Sequence, residues 1–183
     1  MIYHLVIVIL VLVGCMSCSS HSIQDTKAGR EVTSKIKRFC KTEDGLVFSR
    51  WEHNMFAVMI SDEIVLDFEF TVYRRVDMEE ARRLCIRCAE EIQNILSSFD
   101  EFRPYIEAYP FPPYNFSMGI LFSEPERPEG FHPVRDGMDS VGIAHGYIYY
   151  TKYEEELKAP KGFYKESCLS ARRLVRPQDA RAD

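Results

Sequence analysis

The stretch that decides the fold is IVLDFEFTVYRRVDMEEARRLCIRCAEEIQNILSSF, residues 64–99. Its first nine residues alternate: Ile64, Leu66, Phe68, Phe70 and Val72 are apolar, and Asp67, Glu69 and Thr71 fall between them. Successive side chains of a strand point to opposite faces, so a period of two puts the apolar groups on one face and the carboxylates on the other. This predicts a half-buried antiparallel strand. The period then changes. Met78, Ala81, Cys85, Cys88, Ile92, Ile95 and Phe99 recur at steps of three and four, and Leu84, Ala89 and Leu96 widen the stripe. That spacing predicts an amphipathic helix of about five turns with one buried face. Asp77 stands where a cap is needed, with Glu80 three residues on, a capping-box-like start.

Outward from this unit the signals are strands. Leu46-Val47-Phe48 and Met55 to Ile60 precede it, and an Asp44-Gly45 turn signal precedes both. Four prolines, Pro104, Pro110, Pro112 and Pro113, break the chain after the helix. Phe116, Met118, Ile120 and Phe122 then alternate with Ser117, Gly119 and Leu121. Residues 124–138 read as a loop rich in Pro, Glu and Gly. Val141 to Ala144 and Tyr147 to Thr151 flank His145-Gly146 as a hairpin. A short helix is expected over Tyr164 to Val175. The predicted class is α+β: a mostly antiparallel sheet of four to six strands with one long amphipathic helix packed on one face.

Composition sets bounds. In 183 residues, 46% hydrophobic and 28% charged is ordinary for one globular domain, and 13% aromatic argues against wholesale disorder. A net charge of −5 supplies no electrostatic reason to expect nucleic acid, whose binding relies on neutralising phosphates.

The first residues differ from the rest. Leu5 to Val13 is an unbroken apolar run, short of the roughly 20 residues a spanning helix needs and of the length of a signal-peptide core. Leu12-Val13-Gly14-Cys15 follows. This segment resembles the lipobox of bacterial lipoprotein precursors, although the residues before the run, Met1 to His4, carry no Lys or Arg. The resemblance covers about the first 18 residues. It implies cleavage before Cys15, diacylglycerol on the Cys15 thiolate, and a lipid-anchored protein in the cell membrane or outer membrane, facing the periplasm or exterior. It thus sets a signal peptide at 1–14 and a lipidated cysteine at 15. From the residues themselves, the polar stretch up to Arg38 reads as a flexible tether, 15–38 with the cysteine, or else as an irregular first helix near Glu31 to Arg38. One globular domain at 39–176 and a frayed tail at 177–183 complete the expected organisation.

The remaining candidates for chemistry each have a plain structural reading. Cys85 and Cys88 form a CxxC, but on the apolar face of a helix rather than at its N-terminus, where a redox pair gains its low thiol pKa. With Cys15 acylated, five other cysteines remain, an odd number, so at least one is free or paired between chains. A bridge from Cys168 to Cys85 or Cys88 would staple the tail to the helix. Asp67 and Glu69 share a strand face, as acid–base pairs do, and as the solvated side of any half-buried strand does. His132, Arg135 and Asp136 lie in the long loop without a GxSxG elbow to serve. Tyr105, Tyr109, Phe111 and Tyr114 interleave with the prolines. Rings on a stiff segment make good contact surfaces, so these four are the candidate partner-binding residues. No cofactor or metal is implied. The function these residues point to is a non-catalytic binding or structural module with a protein partner. The alternative is an envelope hydrolase using carboxylates or His132.

Overall fold

The computed structural model of this chain describes residues 23–43, 45–58, 61–109, 111–123, 137–154 and 159–179. The fold is α+β, with a six-stranded, mostly antiparallel sheet. Its strands are β1 (Leu46–Val58), β2 (Ser61–Val72), β3 (Ser117–Phe122), β4 (Ser140–Ala144), β5 (Tyr147–Glu154) and β6 (Ala159–Ser167), and they lie side by side in chain order. The helices are α1 (Lys27–Cys40), α2 (Met78–Ser97), α3 (Arg103–Ala108) and α4 (Cys168–Asp179).

The alternation works as anticipated over residues 66–72. Leu66, Phe68, Phe70 and Val72 are fully buried, and Asp67, Glu69 and Thr71 lie on the other side. Residues 46–48 and 55–58 of the two expected strands belong to one strand, β1, with a register shift between Phe48 and Arg50, and residues 59 and 60 lie outside the described residues. β2 and β3 pair parallel, Phe68 opposite Met118, because α2 carries the chain back between them. Every other pair is antiparallel. At the tip of the β4–β5 hairpin His145 (φ 51°) and Gly146 (φ 76°) both take positive φ, as a two-residue turn matched to strand twist requires.

α2 begins where the sequence marks it. The Asp77 carboxylate accepts the Glu80 backbone N–H at 2.8 Å, and Glu79 and Glu80 place negative charge on the first turn. Its apolar stripe, from Ala81 through Leu96, is buried against the sheet. At about 1.5–3 kcal/mol for each large apolar side chain taken from water, such a stripe outweighs any helix propensity term.

Four expectations need correction. The expected long helix, α2, is not alone: the helix layer also holds α1 and α4. The tether does not extend to Arg38: Ile23–Asp25 is a 3-10 turn, Thr26 caps α1 by accepting the Gly29 N–H at 3.0 Å, and Ala28, Val32, Ile36 and Cys40 are buried in the same core as α2. The alternative, a first helix near Glu31 to Arg38, is the nearer one, and its stripe is faint because Ala28, Gly29 and Cys40 are small. At the other end, Tyr164 belongs to β6, opposite Tyr150, and the terminal helix starts only at Cys168 and runs through Asp179. A hydroxyl makes the switch: Ser167 Oγ accepts the Ser170 N–H at 3.2 Å. Residues 177–179 are therefore helical rather than a frayed tail.

Candidate functional site

The four aromatic residues of the proline-rich run do not form one exposed surface. Tyr109 is 1% exposed, and its hydroxyl accepts the backbone N–H of His145 at 2.9 Å. Phe111, half-buried, stands 4.8 Å from the Tyr109 ring and 4.8 Å from the His145 ring. Tyr114 is 2% exposed, packed on Phe116 with the Arg172 guanidinium over its ring. Burial pushes the Tyr114 phenol up. Tyr105 is half-buried beside Phe102. The run closes the core edge under the β4–β5 turn, which corrects the partner-contact reading of Tyr109 and Tyr114. Rigid rings between prolines seal an apolar edge as well as they would meet a partner, and the sequence pattern is the same in both cases.

Five glutamates are committed to arginines. On the outer face of the sheet Arg50 grips Glu69 through two hydrogen bonds, at 2.7 and 2.9 Å, and holds its carboxyl below the usual range. Under the sheet Glu166 accepts from Arg82 at 2.7 Å and from the Tyr150 hydroxyl at 2.5 Å. Burial pulls the Arg82 pKa down, the hydrogen bonds and electrostatic attraction of Glu166 and Tyr150 together outweigh it, and the net shift is upward. Glu90 is paired with Arg172 at 2.9 Å, Glu43 with Arg87, and Glu80 with Arg74. Nothing in the sequence announces the Arg82–Glu166 pair, because an Arg on a helix and a Glu on a strand are ordinary surface residues until the fold joins them.

Cys40, Cys85, Cys88 and Cys168 are all free and buried. The CxxC lies on the core side of α2, both thiols are 0% exposed, and burial pushes them well above their ordinary value. Among the described residues no group of three or more His, Cys, Asp or Glu side chains stands close enough to hold a metal ion. His132 and Cys15 lie outside the described residues, as do Arg135 and Asp136.

One cleft opens between α1 and α2. It has a volume of about 590 Å³, with Lys35, Arg38 and Phe39 on one wall and Glu91, Asn94 and Ile95 on the other. Lys35 Nζ donates to Ser98 Oγ at 3.2 Å and sits 4.5 Å above the Phe99 ring, so one wall cation is tied across the cleft. Mixed charge around an apolar floor can hold a polar chain or headgroup. The Ser98 hydroxyl that meets Lys35 donates its own proton to the Ile95 backbone carbonyl at 2.7 Å. Compared with family models, curated proteins and solved structures, the chain shows no match.

Proposed function

We propose that this protein is a membrane-anchored envelope lipoprotein whose α+β domain serves as a non-catalytic binding or structural module for a protein partner. The observation that carries the reading is the apolar run Leu5 to Val13 closing on Leu12-Val13-Gly14-Cys15. Anchoring needs no spanning helix, since two or more acyl chains hold a protein firmly at a bilayer. Among the described residues no helix is long and apolar enough to cross a membrane. The non-catalytic half is supported by the arginine pairing of Glu43, Glu69, Glu80, Glu90 and Glu166, since Glu69 is one of the two carboxylates that the strand pattern offers as an acid–base pair.

The test is metabolic lipid labelling with intact mass. The mature wild-type chain is expected to begin at Cys15 and carry diacylglycerol. Cys15→Ser is expected to abolish labelling and leave the precursor uncut, because serine offers no thiolate for the transfer. A mature terminus far downstream, without lipid mass, would refute the anchor.

A further inference from the structure

The outer face of α1 carries a charge pattern that helix formation does not explain. Lys27, Arg30, Lys37, Arg38 and Lys41 are exposed and, at 100° per residue, occupy one sector of the helix opposite its buried Val32–Ile36 side, with Ser34 among them. The chain as a whole carries −5, so this face is basic against the overall charge. Lys37, Arg38 and Lys41, at the C-terminal end, suit the helix dipole. Lys27 and Arg30 do not. They stand in the first turn, where a cation faces the positive end of the dipole, and that turn holds no acidic residue ahead of them. In the same molecule α2 opens with Glu79 and Glu80, the arrangement the dipole favours. The acids at the border of the face are Glu31, 3.9 Å from Lys27, and exposed Asp25, whose backbone carbonyl accepts from Arg30.

Position adds to charge. The first described element begins at Ile23, eight residues after Cys15. Eight residues reach at most about 28 Å when fully extended. A lipid on Cys15 therefore keeps the N-terminal end of α1 within one domain's width of the bilayer. α1 and α2 bury their apolar sides in one core on one face of the sheet, so the basic face of α1 points away from that sheet.

We propose that the basic face of α1 rests on anionic phospholipid headgroups of the membrane that holds the anchor. This deepens the lipoprotein reading and rests on it. Each Lys or Arg brought to an anionic surface strengthens association by about five-fold, ~1 kcal/mol, and the attraction decays within a Debye length. Five such groups fix the domain's orientation and turn the outer face of the sheet, with Arg50, Glu69 and Tyr147, away from the bilayer.

The experiment reconstitutes the purified lipidated protein into vesicles of phosphatidylcholine alone or with added phosphatidylglycerol. Lysines are mapped with a membrane-impermeant amine reagent, and intact mass is read on the same sample. Lys27, Lys37 and Lys41 are expected to be protected several-fold on anionic vesicles only, and released by raised salt. Lys165, on the outer sheet face, is expected to label equally on both. Arg30→Glu with Arg38→Glu should remove the protection at Lys37 while leaving the melting temperature unchanged, since both side chains are exposed. Equal labelling of the α1 lysines on the two vesicle types overturns the proposal, as does protection by polyglutamate or duplex DNA but not by anionic vesicles. If the mass shows no lipid on Cys15, the anchor reading falls by itself. Flotation of that unlipidated chain then decides the face: binding to anionic vesicles supports it, and no binding overturns it.

Discussion

Arg82 Nε and Glu166 Oε1 stand 2.7 Å apart across 84 residues of chain, where the arginine side chain is 15% exposed and the glutamate 8%. The Tyr150 hydroxyl donates to the same carboxylate oxygen, so one buried acid joins α2, β5 and β6. Arg82→Ala strands that carboxylate, and a broken buried pair costs about 3–5 kcal/mol. Replacing both partners with Met is expected to recover most of the loss, because the desolvation cost of two ions goes with them. Urea melts of the single and double variants measure this. A double variant no better than Arg82→Ala would mean that the charges are not the source of the stability.

How far this was legible in the sequence depends on the range of the cause. Residues 64–99 declare their strand and helix because period and cap are local, and the observed α2, Met78–Ser97, starts behind the expected Asp77 cap. α1 shows in the sequence only as an irregular helix near Glu31 to Arg38, the alternative to a tether, because of its core contacts only Val32 and Ile36 stand out, while Ala28, Gly29 and Cys40 are too small to mark a stripe in a polar stretch. The last residues of β6, from Tyr164, read as helix in the sequence because Tyr164 and Glu166 face Tyr150 and Ile148, partners that only the fold supplies. The exposure of Tyr109 was likewise undecidable from a proline-aromatic pattern. The basic face of α1 needs the helix before it exists at all.

The register of α2 has a direct check. Ile92 is 0% exposed at the centre of the buried stripe, while Glu91 lies half-buried on the wall of the cleft. Ile92→Ala is expected to cost about 2–5 kcal/mol as a large-to-small core change. Glu91→Ala should stay within roughly 0.5 kcal/mol. Comparable losses in urea would mean that the helix is rotated from its described position.

The buried thiols make stability fall in alkali. Burial raises Cys40 from 9.0 to about 11 and Cys168 to about 12, and raises Cys85 and Cys88 well above 9.0. Below pH 9 both folded and unfolded thiols are protonated, and the full stability is present. As pH rises past 9 the unfolded chain loses protons that the native one keeps, so stability declines until the native thiols ionise in turn. Denaturant midpoints taken from neutral pH to about pH 10 should fall accordingly. Peptide mapping after iodoacetamide at about pH 8 should show these four cysteines modified only in denaturant, because the thiolate is the nucleophile. Rapid native labelling of Cys85 or Cys88 would return the CxxC to the redox candidates.

Two glycines predict opposite signs. A Cβ on Gly119, in β3, would meet nothing within 4 Å, whereas one on Gly146 would meet the Pro112 carbonyl oxygen at 3.1 Å with φ at +76°. Gly119→Ala is expected to stabilise by about 0.4–1 kcal/mol, since it reduces the freedom of the unfolded chain. Gly146→Ala should lose about 1–2 kcal/mol to the left-handed backbone alone. Thermal melts of the two variants should therefore move in opposite directions. A destabilised Gly119→Ala would show that something outside the described residues packs over that point of the sheet.

Two tyrosines of one proline-rich run separate its possible roles most sharply. The Tyr109 hydroxyl holds the His145 backbone N–H at 2.9 Å, at the tip of a turn whose residue 145 has a positive φ. The Tyr114 hydroxyl is buried without a hydrogen-bond partner among the described residues. Removing a satisfied acceptor strands its donor, while removing an unsatisfied group relieves a desolvation penalty. Tyr109→Phe is therefore expected to cost about 1 kcal/mol, and Tyr114→Phe to be neutral or stabilising by a similar amount. Truncation is a different operation, because it opens the core edge that both rings close. Tyr109→Ala with Phe111→Ala should lose several kcal/mol, about 3–5 for the buried tyrosine alone. Denaturant melts of all three variants decide between a seal and a contact surface. If the double variant kept its melting temperature and instead failed to recover a partner from the native envelope, the run would be a binding face after all, and the burial of Tyr109 would be a property of the unbound protein.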